Sequence, residues 1–248
     1  MRVEPTHKSE QVSQLLFGDH YAVYDVSKDK KWYSIGVNFD QCEGWIDARQ
    51  HHTITKDHFE YINRADFKIT TDLATSILYN KSPLLILIGS IIPISGSELF
   101  KMEEQFAFNG DSKSLGLKRD AEFLKTIAMK YLNTPFQWGG KSSFGIDAPG
   151  FTQMAFKISG YRLGRTTQEQ SKQGREIKNL ADAYPGDLAF FTSKDEKNGH
   201  VGVLLSKDKV IHASGKVGID SVQQEGIINT ETKVNTHQLL QIRRVLTE

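Results

Sequence analysis

The chain has 248 residues, 38% of them hydrophobic and 25% charged, with a formal net charge of +1. This length allows a sizeable core and a division into two or three domains. So small a net charge gives no electrostatic reason to expect a nucleic-acid partner or a membrane surface, and we expect neither. Because Cys42 is the only cysteine, internal disulfides and Cys-rich metal sites are excluded, and we expect no metal and no cofactor.

The amino-terminal end shows no apolar stretch of the kind that marks a secretory signal. We therefore expect a cytoplasmic protein if the chain is complete, and a periplasmic or extracellular one if a leader was removed. The longest apolar stretch, residues 84–94, contains Gly89 and Pro93 and falls well short of the roughly 20 residues a membrane span needs. It predicts two buried strands joined by a turn.

The first part of the chain reads as short strands. Polar and apolar residues alternate over residues 21–26 and 31–37, and residues 43–46 form a short closing strand. This spacing predicts a small barrel over residues 1–53. Its apolar pattern, residues 15–18 followed by Trp32 and Trp45, resembles bacterial SH3-like modules.

A second strand-rich stretch follows a predicted helical linker at residues 54–64. Its candidate strands lie at residues 67–69, 77–79, 84–88, 91–92 and 104–108. We interpret residues 65–110 as a second SH3-like barrel, although its motifs are less distinct than those of the first.

The pattern changes from about residue 111. Apolar residues recur at helical spacing over residues 120–132 and again over 150–159, before Gly160. Candidate strands then follow at residues 187–191, 200–205, 210–212 and 238–245. Helices followed by an antiparallel sheet predict an α+β domain over residues 111–248.

The segment at residues 134–151, TPFQWGGKSSFGIDAPGF, carries the most specific signal in the chain. It closely resembles the nucleophile segment of the NlpC-type family, bacterial cysteine peptidases with a papain-like fold that cut cell-wall peptides. In that family a cysteine follows the aspartate, whereas this chain has Ala148. A methyl group cannot form a thiolate, so we expect the catalytic activity to be absent.

Two histidines complete the resemblance, in the family's chain order. A thiol peptidase needs a cysteine at a helix N-terminus, a histidine base and a third group that orients the base. His200, within residues 199–203, resembles the family's base, and His212, within residues 210–214, resembles its orienting residue. Both face one cleft only if residues paired across their strands have numbers with an even sum.

The resemblance also implies a set of substrate-binding positions, with Asp147 contacting a substrate's free amino terminus. They are Asp147, Phe136, Trp138, Pro149, Arg165, Thr167 and Cys42. Several depart from the family: Phe136 and Cys42 stand where tyrosines are usual, and Pro149 replaces a serine. Gly164 also replaces a proline before Arg165. Changes at several positions around one site favour a natural origin for Ala148 over a single engineered replacement.

Two functions therefore stay open. The favoured one is a natural pseudoenzyme that binds a small cell-wall peptide, or another partner, in the retained cleft, with a place in peptidoglycan recycling. The alternative is a γ-D-glutamyl-L-diamino acid endopeptidase, a cysteine hydrolase disabled by an engineered Cys-to-Ala change. In the active form, a cysteine at position 148 would attack the γ-amide carbonyl, with His200 as base and then acid.

Two further motifs suggest a phosphate-binding loop and a metal site, but neither meets the requirements of such a site. Residues 140–142, Gly-Lys-Ser, lack the glycine that a phosphate-binding loop requires five residues earlier, where the chain has Pro135. His51, His52 and His58 have no carboxylate or thiol at metal-ligand spacing, which favours an exposed linker over a metal site.

Overall fold

The computed structural model describes residues 1–64, 67–79, 81–95, 100–101, 106–192 and 199–247. The chain divides into two compact units, Met1–Leu117 and Lys118–Glu248. The finer divisions predicted at residues 53, 64 and 110 stay predictions.

The first unit begins with a three-stranded antiparallel sheet in the order β1-β2-β3. Its strands are Tyr21–Val26 (β1), Trp32–Val37 (β2) and Glu43–Asp47 (β3), followed by a short 3-10 helix at Ala48–Gln50. Ile35, Val37 and Ile46 form the buried core of this sheet. Strand alternation in the sequence located all three strands to within one residue at each end.

The described residues in the rest of the first unit form one helix and seven strands. They are Lys56–Arg64 (α1), Phe67–Thr70 (β4), Ala74–Tyr79 (β5), Ser82–Leu87 (β6), Ile91–Ser95 (β7), Phe100–Lys101 (β8), Phe106–Phe108 (β9) and Ser112–Ser114 (β10). The strands form two sheets, β10-β4-β7 and β6-β5-β9-β8. Residues 104 and 105 of the predicted strand at 104–108 lie outside the described residues.

One expectation for this region was wrong. Residues 84–94 do form parts of two strands with a turn at Gly89, but the first strand is only partly buried: Ile86 is 2% exposed, whereas its neighbours Leu84 and Leu85 are not buried. Leu84 is 40% exposed and Leu85 61% exposed. The reason is that β6 lies at the edge of its sheet and pairs only with β5, so apolar composition alone overstated its burial.

The second unit opens with helices. These are Ala121–Lys130 (α2), Ala148–Ile158 (α3) and Thr167–Gln170 (α4), with a short 3-10 helix at Leu180–Asp182. Among the described residues, none of the helices is long and apolar enough to cross a membrane. Helix α3 begins two residues earlier than predicted because Asp147, not a later residue, caps it.

Nine strands follow or separate these helices in the part of the second unit that the structure describes. They are Lys141–Ser142 (β11), Gly145–Ile146 (β12), Arg175–Ile177 (β13), Leu188–Thr192 (β14), His200–Ser206 (β15), Lys209–Ser214 (β16), Lys216–Gln223 (β17), Gly226–Ile228 (β18) and Asn235–Arg244 (β19). A seven-stranded sheet has the order β13-β19-β14-β15-β16-β17-β18, and β18 also pairs with β19. The strands from β14 to β19 therefore close into a barrel, against which α3 packs through β15 and β16.

Candidate active site

The start of α3 presents the position where a nucleophile was predicted. The side chain of Asp147 accepts a hydrogen bond from the Gly150 backbone N–H at 2.7 Å, which caps the helix. Ala148 is the first helical residue and is buried, and Pro149 follows it at a position that needs no N–H donor. A thiol here would lie at the positive end of the helix dipole, but alanine has none.

Asp147 is also the centre of a buried ion pair. The Arg165 guanidinium donates to both of its oxygens, Nη1 to Oδ1 at 3.0 Å and Nη2 to Oδ2 at 2.7 Å. The Gly139 N–H adds a bond to Oδ2 at 2.8 Å. With the bond from Gly150, four donors already occupy the carboxylate, which has about four acceptor positions. Its predicted contact with a substrate amino group stays a prediction.

The two predicted histidines are hydrogen-bonded to each other. His200 Nε2 and His212 Nδ1 are 2.7 Å apart, and both side chains are buried. Gly202 lies opposite His212 across β15 and β16, so the paired residue numbers have an even sum. The expectation that both rings face the same side of the sheet is thereby confirmed.

A carboxylate that sequence reasoning missed extends this pair. Asp220 lies on β17, and its Oδ2 is 3.1 Å from Nε2 of His212. The hydrogen bond from His212, and then the bond from the Thr230 N–H, hold the pKa of Asp220 at about 2. Recognition of the tight turn between β16 and β17 in the sequence would have predicted that residues 212 and 220 lie on the same face of the sheet. That turn was the missed signal.

A third imidazole packs on the pair. The ring of His237, on β19, lies 4.3 Å from the ring of His200, at an interplanar angle of 32°. Both rings are buried, so His237 covers one face of His200 and restricts its orientation. The sequence carried no motif that assigned a role to this residue.

Gly202 leaves the room that the His212 side chain needs. A Cβ added at Gly202 would lie 2.9 Å from the Ile211 carbonyl oxygen and 3.0 Å from the Cβ of His212. Gly202→Ala is therefore expected to lower the free energy of unfolding by about 1–3 kcal/mol, the usual cost of overpacking. Urea unfolding followed by circular dichroism measures the change.

Gly218 provides the matched control, because it flanks His212 on the other neighbouring strand. A Cβ there would meet no atom within 4 Å. Gly218→Ala should leave stability within about 0.5 kcal/mol of the unaltered chain. Equal losses in the two variants would contradict the steric account.

The remaining predicted substrate-binding residues fall in different surroundings. Thr167 begins α4, next to the capping box that Thr166 forms with Glu169. Phe136 and Trp138 are 38% and 49% exposed in the segment before β11. Cys42 is a partly buried free thiol in the first unit, and its predicted place at the cleft stays a prediction.

Gln170 connects α4 with the start of α3. Its Nε2 donates to the Pro149 carbonyl at 2.8 Å, and its Oε1 accepts from the Thr152 hydroxyl at 2.7 Å. These bonds, together with the ion pair of Asp147, fix the backbone around position 148.

Within the described part of the chain, no group of three or more histidine, cysteine or acidic side chains is placed to hold a metal ion.

The candidate site predicted from the sequence is Ala148 with the His200–His212 pair, and its parts lie on elements that pack together. Helix α3, which starts at Ala148, packs against the two strands that carry the histidines. The site has a buried acid–base pair and a helix N-terminus, but its helix begins with a methyl group where a nucleophilic sulfur would stand.

Comparison with protein families gives two matches. The NlpC/P60 family matches residues 133–236, and the bacterial dipeptidyl-peptidase Sh3 domain matches residues 1–50. The first match contains Ala148, His200, His212 and Asp220. The second contains the sheet formed by β1, β2 and β3.

Two individual relatives and one solved structure are also similar to this chain. The γ-D-glutamyl-L-lysine dipeptidyl-peptidase of Bacillus subtilis is 26% identical, over 95% of this chain and 81% of the relative. A probable endopeptidase of Haemophilus influenzae is 34% identical, over 46% of this chain and 75% of the relative. The fold of an NlpC/P60 family protein from Bacillus cereus is similar, with a TM-score of 0.76 and 21% identity, covering 95% of this chain and 82% of that one.

Proposed function

This chain belongs to the NlpC/P60 family, and on that premise we propose that it binds a γ-D-glutamyl cell-wall peptide without cleaving it. The chain has an SH3-like domain at its amino-terminal end and a papain-like peptidase fold after it. The observation that carries the proposal is Ala148 at the start of α3, the helix that packs against the strands of the hydrogen-bonded His200–His212 pair.

The absence of cleavage follows from the chemistry of amide hydrolysis in this family. A thiolate must attack the carbonyl carbon, and the histidine base exists to take the proton from that thiol. Without the sulfur, His200 has no nucleophile to activate at position 148. Loss of a nucleophile lowers the catalytic rate about as much as loss of the whole catalytic group does, because the members of that group act as a unit.

Binding needs an ordered backbone and an exposed surface for the ligand, and three features of the chain support such a site. The Asp147–Arg165 pair and Gln170 hold the backbone near position 148 in place. Phe136 and Trp138 offer exposed aromatic faces on the segment that leads to β11. We propose a short cell-wall peptide as the ligand, because relatives with this fold include a γ-D-glutamyl-L-lysine dipeptidyl-peptidase.

The finer architecture forms part of the same proposal. Residues 65–110 would be a second SH3-like barrel, which the two short sheets formed by β4 to β10 support. Ile77, Ile86, Ile92 and Phe108 give this region a core of its own.

The second candidate function is an endopeptidase that one replacement has disabled. The hydrogen-bonded series from His200 through His212 to Asp220 favours it, because a protein that only binds its ligand has no need of an aligned proton relay. The departures at Phe136, Pro149 and Gly164 favour the first candidate instead, since they change the surroundings of position 148.

Calorimetric titration with the tripeptide L-Ala-γ-D-Glu-L-Lys tests binding directly. We expect saturable heat with a Kd on the order of 10 μM, near −7 kcal/mol of binding free energy. Mass spectrometry should recover the peptide intact after prolonged incubation.

The α-linked isomer of the tripeptide is the matched control for the ligand, and Trp138→Ala is the control for the protein. Both should weaken binding by about tenfold, because each removes one part of the recognition while the fold stays intact. No saturable heat at millimolar peptide would refute the binding proposal.

A further inference from the structure

Asp220 is held in place from two sides. Its Oδ1 accepts from the Thr230 backbone N–H at 2.7 Å, and Asn229 Nδ2 lies 3.4 Å from its Oδ2. The same Oδ2 faces His212 at 3.1 Å. The carboxylate is largely buried, so it presents a fixed, charged acceptor to the outer nitrogen of His212.

When the imidazoles of His200 and His212 are both neutral, the hydrogen bond between them can be made in two ways. Either His200 donates through Nε2 and His212 accepts at Nδ1, or the two roles are reversed. In the second arrangement His200 carries its proton on Nδ1 and has its lone pair on Nε2. Only the first arrangement has the lone pair of His200 on Nδ1, as a base that acts through Nδ1 requires.

The Asp220 carboxylate next to His212 Nε2 favours the first of these two arrangements. An ionised carboxylate can only accept hydrogen bonds, so it requires a proton on His212 Nε2. A neutral His212 with that proton must accept at Nδ1, and His200 must then donate through Nε2. The preference is strong because hydrogen bonds to an ionised acceptor are roughly twice as strong as neutral ones.

We propose that Asp220 is a positioning residue that fixes the tautomers of both histidines, with the proton on Nε2 of each ring. The series Asp220–His212–His200 therefore keeps the protonation pattern of a general base, although position 148 holds no thiol. This inference deepens the proposed function, because it concerns the same site, and its test uses no peptide.

The test is nuclear magnetic resonance of the unaltered chain with ¹⁵N-labelled histidine, at about pH 8, where unperturbed imidazoles are neutral. Long-range ¹H–¹⁵N spectra distinguish a protonated ring nitrogen from an unprotonated one. Both His200 and His212 should show a proton on Nε2 and none on Nδ1. A proton on Nδ1 of His200 would overturn the proposal without any variant being made.

A pair of variants isolates the carboxylate. Asp220→Ala should reduce the population of the Nε2–H arrangement by about tenfold relative to its reverse, since the charged acceptor is gone. Asp208→Ala removes an exposed acid from the turn between β15 and β16 and should change neither ring. Unchanged tautomers in a folded Asp220→Ala chain would overturn the proposal. Failure of peptide binding would instead refute the proposed function and leave the tautomer result standing.

Discussion

A chain carrying Ala148→Cys is expected to hydrolyse L-Ala-γ-D-Glu-L-Lys at least about a thousandfold faster than the unaltered chain. The reason is that the helix N-terminus and the His200–His212 pair are already formed, so the sulfur is the missing member of the catalytic group. Restoring the one absent member of a cooperative catalytic group recovers most of its rate enhancement. Release of free L-lysine, followed by chromatography, measures the rate.

Two further variants show whether the introduced thiol works through the predicted base. Ala148→Ser places a far less acidic group at the same position and should recover much less activity. Combining Ala148→Cys with His200→Ala should return the rate to that of the unaltered chain. A folded Ala148→Cys chain that binds the peptide but releases no lysine would contradict the prediction. It would favour a site remodelled for binding alone.

The second large effect concerns stability. Asp147→Asn is expected to lower the free energy of unfolding by about 3–5 kcal/mol, because it leaves the Arg165 guanidinium buried without a counter-charge. The side chains of Arg165 and Asp147 are only 4% and 7% exposed. Asparagine keeps the helix-capping oxygen but replaces Oδ2 by an NH2 group, so the loss reports on the charge together with the bonds that Oδ2 accepts from Arg165 and Gly139. Urea unfolding gives the change from the shift of the midpoint.

The Asp47–Arg49 pair is the matched control, since it has the same bidentate geometry at the surface. Arg49 donates to both oxygens of Asp47, at 3.0 Å and 2.6 Å, but its side chain is 84% exposed. Asp47→Asn should change stability by about 0–1 kcal/mol. Similar losses in the two variants would contradict the role of burial.

Local sequence patterns were sufficient to identify the elements that build the site. Apolar runs located β15 and β16, and apolar residues at helical spacing over residues 150–159 located the start of α3 within two residues. Once β15 and β16 pair in an even register, His200 and His212 must share a face. These inferences need only short stretches of chain, which is why sequence reasoning reached them.

The parts that sequence reasoning missed depend on long-range pairing. Gly218 and Asp220 lower the strand propensity of β17, so its place in the sheet comes from pairing with β16. Asp147 and Arg165 are 18 positions apart in the chain, and no local pattern reveals that Arg165 occupies the Asp147 carboxylate. The exposed residues of β6 likewise depend on its position at a sheet edge.

The most direct test of the central claim is the acidity of a thiol at position 148. In a chain with Cys42→Ser and Ala148→Cys, the rate of alkylation by iodoacetamide is measured against pH. If position 148 and His200 form one site, the pKa of the introduced thiol lies below about 7 and rises toward about 8.5 when His200→Ala is added. A thiol with a pKa near 8.5 in both chains would contradict the account.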